Sequence, residues 1–166
     1  MKTFKSIAKT IMAIALVISV STATAQSTSD KVGNSHSVKG MVTSHNFVFK
    51  AQTVFPETGT VQQLTGGNYT LTVTNNAIVA DMPYYVKAAA ASIDASQGGL
   101  QFKSTNFKYL ENKVKRGWSV ELEPMDVGGD NLKMLLTVYN DKEATLVISS
   151  EARQSVALDG FVEAQQ

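Results

Sequence analysis

From Asn46 onward, apolar and polar residues alternate with a period of two. Phe47, Phe49 and Ala51 alternate with Asn46, Val48 and Lys50; Tyr69, Leu71 and Val73 alternate with Asn68, Thr70, Thr72 and Thr74; Trp118, Val120 and Leu122 alternate with Ser119, Glu121 and Glu123. A strand points successive side chains to opposite faces, so this pattern predicts sheets with one apolar and one wet face, as in an antiparallel sheet covering a core. Asn75-Asn76 separates two such runs, and asparagine tolerates the positive φ of a tight hairpin turn. Asn140-Asp141-Lys142 and the stretch 113–117 suit the following pairs. Runs near 45–53, 68–74, 77–82, 99–111, 117–123, 131–139, 143–149 and 154–161 predict about eight antiparallel strands. Short links favour an all-β meander, closed as a small barrel or folded as a sandwich. The exception is 83–97, where an Ala-rich stretch follows Pro83 and precedes Gly98-Gly99; it reads as one long loop or a short helix.

The first 25 residues follow a different pattern. Lys2, Lys5 and Lys9 precede an apolar run at 11–20, and Ala23-Thr24-Ala25 supplies small residues where a signal peptidase reads, so cleavage is expected between Ala25 and Gln26. The run is half of the roughly 20 residues a membrane-spanning helix needs, and no later segment approaches that length. The mature chain is expected to be exported and soluble, in a periplasm or outside the cell. Residues 26–41 are poor in apolar side chains and read as a disordered tether, followed by a single domain at 42–162 and a short tail at 163–166.

Removing 25 of 166 residues leaves 141, enough for one domain with a core. The leader takes three of the 15 basic residues with it, leaving 12 against 14 acidic ones, a formal charge of −2. That balance has no electrostatic footprint for nucleic acid. The chain contains no cysteine. This excludes a thiol nucleophile, a thiolate metal site, disulfides and the lipid-modified cysteine of a lipoprotein, so the fold rests on packing and no lipid anchor is expected.

Candidate chemistry is sparse. The mature chain keeps His36 and His45, without the His-x-His or His-x-x-x-His spacing of a metal site and without a nucleophile elbow, so neither metal, cofactor nor triad is expected. Glu121 and Glu123 share one side of a strand, and with Asp126 they offer the paired carboxylates of a glycoside hydrolase. If Trp118 faces the core, however, alternation puts both glutamates in solvent. Residues 126–130 place two aspartates around two glycines, which reads as a turn more readily than as a calcium loop. Lys108, Lys113, Lys115 and Arg116 surround one hairpin, either as solubilising charges or as a contact for anionic glycans or lipid headgroups. Tyr84, Tyr85, Tyr109 and Trp118 form the candidate ligand-binding set, because loop tyrosines on a rigid β scaffold commonly line binding sites.

The residues also resemble a known family, the bacterial exported group called domain of unknown function 4251. The matching features are Asn46-Phe47-Val48-Phe49-Lys50-Ala51, Met82-Pro83-Tyr84, Gly98-Gly99-Leu100-Gln101-Phe102, Gly117-Trp118 leading to Pro124-Met125-Asp126, Ala144-Thr145-Leu146, and Arg153-Gln154-Ser155-Val156 before Gly160. Together they cover roughly 42–162. The resemblance implies an exported all-β domain, often a lipoprotein, with no assigned activity. This chain departs from that habit in lacking the lipid-attachment cysteine, and Val86 with its alanine run replaces an expected glycine-containing, more polar loop. The combined expectation is a non-catalytic binding or interaction module of the cell envelope, whose partner is a small molecule, a glycan or an envelope protein. Two competing readings are a carbohydrate-active hydrolase using Glu121, Glu123 or Asp126, and a structural subunit of an envelope complex.

Overall fold

The computed structural model describes residues 36–65, 69–82, 99–128, 131–151 and 154–165. The expected leader with Ala25 and Gln26, most of the expected tether, and 83–97 with Tyr84 and Tyr85 lie outside the described residues. The chain forms one short helix, α1 (Val38–Thr43), then β1 (Phe47–Pro56), β2 (Gln62–Gln63), β3 (Thr70–Val73), β4 (Ile78–Met82), β5 (Leu100–Ser104), β6 (Phe107–Val114), β7 (Gly117–Pro124), β8 (Lys133–Tyr139), β9 (Glu143–Ser149) and β10 (Val156–Ala164). The domain is all-β, as the alternating pattern predicts.

All ten strands belong to one antiparallel sheet with the order β5-β4-β3-β1-β10-β9-β8-β7-β6, and β2 pairs with β1 beside this path. The two ends of the order, β5 and β6, are joined in the chain by Thr105-Asn106 alone. Direction alternates at every antiparallel pairing, and an even number of pairings separates β5 from β6, so the two run the same way. Thr105-Asn106 is therefore a bend within one long stave. Its first half pairs with β4 and its second half with β7. The sheet's two ends are thus one continuous piece of chain, and the sheet curls into a nearly closed barrel of eight staves.

The inward side chains fill the barrel. Phe47, Phe49, Leu71, Val73, Ile78, Met82, Val120, Leu122, Leu136, Val138, Leu146, Ile148 and Leu158 are all fully buried. Side chains wholly out of water's reach leave no water-sized space against them, so these residues form a close-packed core. Two irregularities decide which residues belong to it. A bulge in β1 between Ala51 and Thr53 moves the inward set from Phe47 and Phe49 to Val54. The bend moves it from Leu100 and Ser104 to Phe107 and Tyr109. At two points the backbones come so close that only glycine fits: a Cβ on Gly160 would lie 2.0 Å from the Lys50 carbonyl oxygen, and one on Gly117 would lie 1.9 Å from that of Val138.

Helix α1 spans from the head of β1 to β6 and β7. Its six residues are too few to stand alone, and burial of Val38, Met41 and Val42 holds them. The Ser37 hydroxyl caps the first turn by accepting from the Gly40 N–H at 3.0 Å. The far end closes as a Schellman motif: His45 N–H donates to Val42 and Asn46 N–H to Met41, with His45 at a φ of 51°. This helix begins inside the stretch whose composition suggested a tether and runs two residues past its expected end. The ordered domain therefore reaches back at least to Ser37, because three apolar side chains at helical spacing suffice when a sheet is there to receive them.

Candidate functional site

Asp126 follows β7 and reaches across to the bend. Its carboxylate accepts the buried Ser104 hydroxyl, the Thr105 N–H at 2.9 Å and the Asn106 N–H at 3.1 Å, while Met125 N–H donates to the Asn106 carbonyl at 2.7 Å. The Ser104 hydroxyl and these backbone donors hold the Asp126 carboxyl down to about 2. A group so arranged is a clamp on the joint of the barrel, and it has no proton to give at neutral pH.

Glu123 sits in a charge ladder on the outer wall, where Lys108 pairs with it from β6 at 2.7 Å and Lys133 from β8 at 3.6 Å. The Lys108 hydrogen bond, with the charges of both lysines, lowers its carboxyl below the ordinary range. Glu121 points outward two residues earlier and is exposed. Glycoside hydrolysis needs one carboxyl raised toward neutrality to act as an acid. Glu123 and Asp126 are both shifted the other way, and the two glutamates lie on the convex side of the wall.

Of the remaining sequence candidates, Tyr109 and Trp118 lie among the described residues. Trp118 and Tyr109 project inward, half-buried against the core. The Tyr109 hydroxyl donates to the Val42 carbonyl at 2.8 Å, and burial, reinforced by the Glu111 charge, pushes that phenol well above its usual range. His45 lies on the Tyr109 ring, with centroids 3.8 Å apart, and its Nε2 is 3.9 Å from Glu111. Tyr109 therefore works as an anchor that fastens α1 to β6. β4 ends at Met82 beside Leu100, whereas Trp118 pairs with Lys113 at the other end of the β5–β6 stave. Among the described residues no group of three or more His, Asp or Glu side chains could hold a metal, and no helix is long and apolar enough to cross a membrane.

What the sequence reading missed lies on the outside. The register aligns Leu110, Glu121, Leu135, Val147, Ala157 and Phe55 in one row across β6, β7, β8, β9, β10 and β1. Five of the six are apolar, and Leu110, Leu135 and Phe55 are 54, 44 and 37% exposed. The rows on either side are polar: Lys108, Glu123, Lys133 and Ser149 on one, and Asn112, Ser119, Thr137, Thr145 and Asp159 on the other. An apolar strip rimmed by polar residues is a form that protein interfaces take. Its signal in the sequence is the adjacent apolar pairs Val54-Phe55, Tyr109-Leu110 and Leu135-Leu136, since a strand with one buried face cannot bury both members.

Comparison with known proteins agrees with this architecture. The family model described as Domain of unknown function (DUF4251) matches residues 30–162, and the chain belongs to that family. Among solved structures, a DUF4251 family protein from Bacteroides eggerthii DSM 20697 is similar in fold, with a TM-score of 0.57 and 17% identity over 82% of this chain and 86% of that one. No curated protein matches the chain.

Proposed function

We propose that this chain is an exported, non-catalytic domain of the bacterial cell envelope that binds a protein partner through the outer wall of its barrel. The observation that carries the reading is the apolar row of Leu110, Leu135, Val147, Ala157 and Phe55, interrupted only by Glu121, in which Leu110, Leu135 and Phe55 are exposed. The leader pattern, with its expected cut between Ala25 and Gln26, supports a periplasmic or secreted location, and the absence of cysteine supports a mature form without a lipid anchor.

The hydrolase reading loses support from the same geometry, because Glu123 is engaged by two lysines and Asp126 by the bend. Crosslinking in whole cells followed by mass spectrometry tests the proposal. The wild-type chain, beginning at Gln26, is expected in a discrete adduct that disappears in a Phe55→Lys, Leu135→Lys double variant of unchanged circular dichroism. A wild-type chain recovered alone, or an adduct indifferent to the double variant, would refute it.

A further inference from the structure

We propose that the tip of the β6–β7 hairpin docks on an anionic lipid surface. The turn consists of Lys115 and Arg116, between the paired Val114 and Gly117, and Lys113 stands next to it opposite Trp118. Among the described residues, the lysine ion pairs lie elsewhere: Lys50 meets Glu163, and Lys108 and Lys133 meet Glu123. Lys108, which the sequence groups with this cluster, is therefore neutralised by its neighbour. Lys113, Lys115 and Arg116 remain as three cations within four residues, in a mature chain whose formal charge is −2.

The tip is also apolar and held in place. Val114 is 38% exposed, on the same side of β6 as Leu110. Asn140 N–H donates to the Arg116 carbonyl at 3.1 Å, and the bare Cα of Gly117 lies against the Val138 carbonyl, which fixes the turn to β8. The adjoining turn between β8 and β9 carries Asp141 and Lys142, with Glu143 opening β9, and the Asp141 carboxylate accepts the Glu143 N–H rather than meeting the hairpin cations. A fixed turn with three cations around an exposed valine matches a headgroup layer, in which phosphates meet the charges and the aliphatic side chain meets the acyl boundary.

The test is sedimentation of the purified chain with phosphatidylcholine vesicles and with vesicles containing 30 mol% phosphatidylglycerol, at low and at 0.5 M salt. The ratio of anionic to neutral binding is the readout, because neutral vesicles report any apolar contribution from the amino-terminal segment. Wild type is expected to prefer anionic vesicles and to release in salt. Lys113→Gln, Lys115→Gln, Arg116→Gln together should lower the preference on the order of a hundredfold, at about 1 kcal/mol per cation. A Lys50→Gln, Lys103→Gln, Lys133→Gln control, equal in charge change, should retain most of it. Equal losses in the two triple variants, no anionic preference in wild type, or capture of polyglutamate without capture of vesicles would overturn the proposal. None of these variants alters Phe55 or Leu135, so the outer-row reading is tested separately.

Discussion

Phe49 and Phe55 stand six positions apart on the same strand, one fully buried in the barrel and the other 37% exposed on its outer wall. Straight alternation would send both inward. The bulge between Ala51 and Thr53 turns the second one out, where Ala157, Val147 and Leu135 continue it across the neighbouring strands. The same side chain thus belongs to the core on one side of a single extra residue and to an exposed strip on the other. A hydrophobic residue on a strand acquires its role from the face it occupies, and a bulge can reassign that face.

The difference can be attacked from the core outward. Phe49→Ala should destabilise the domain by about 3–5 kcal/mol, because it opens a cavity in a closed interior; chemical denaturation followed by tryptophan fluorescence at Trp118 measures it. Gly160→Ala should cost about 3 kcal/mol, since its Cβ would meet backbone that cannot give way without parting β1 from β10.

Asp126 should show its effect in acid. Its folded carboxyl titrates near 2 against an ordinary value of 3.8, so its contribution is complete above the ordinary value and is lost as pH falls from about 4 through 2. Melting temperatures of wild type and Asp126→Asn are therefore expected to differ at pH 6 and to converge by pH 2. A difference that stays constant with pH would remove the charge from the account of the clamp. At the small end, Phe55→Ser and Leu135→Ser should each change stability by no more than about 0.5 kcal/mol, within the range of surface substitutions. A loss comparable to Phe49→Ala would mean that the outer row is structural and that the contrast between the two phenylalanines is false.

Most of the architecture was legible because alternation is local. Phe47, Phe49, Leu71, Val120 and Leu122 lie on the face that their spacing predicts. The stretch 99–111 was legible as one run, and it is one stave, but its bend was not: Thr105-Asn106 shifts the inward set by a residue, and the side chain that holds the bend, Asp126, is twenty positions away. No local pattern carries a clamp of that separation. Helix α1 was hidden for a related reason, since six residues with three apolar positions become a helix only when a sheet buries them. Trp118, which the sequence offers both as a core residue and as a ligand contact, faces inward, on the side opposite the outward glutamates. The outer row escaped because it exists only in the cross-strand register, which joins residues from six separate strands.

On the proposed reading, a protein partner meets the barrel at the wall carrying Leu135. A photo-crosslinking amino acid placed at Leu135, and in parallel at Val79, which is equally exposed at 41% on the β4 wall, tests it in living cells. A discrete high-mass adduct is expected from position 135 and little or none from position 79. Equal adducts from the two positions, or none from 135 while the protein accumulates normally, would contradict it.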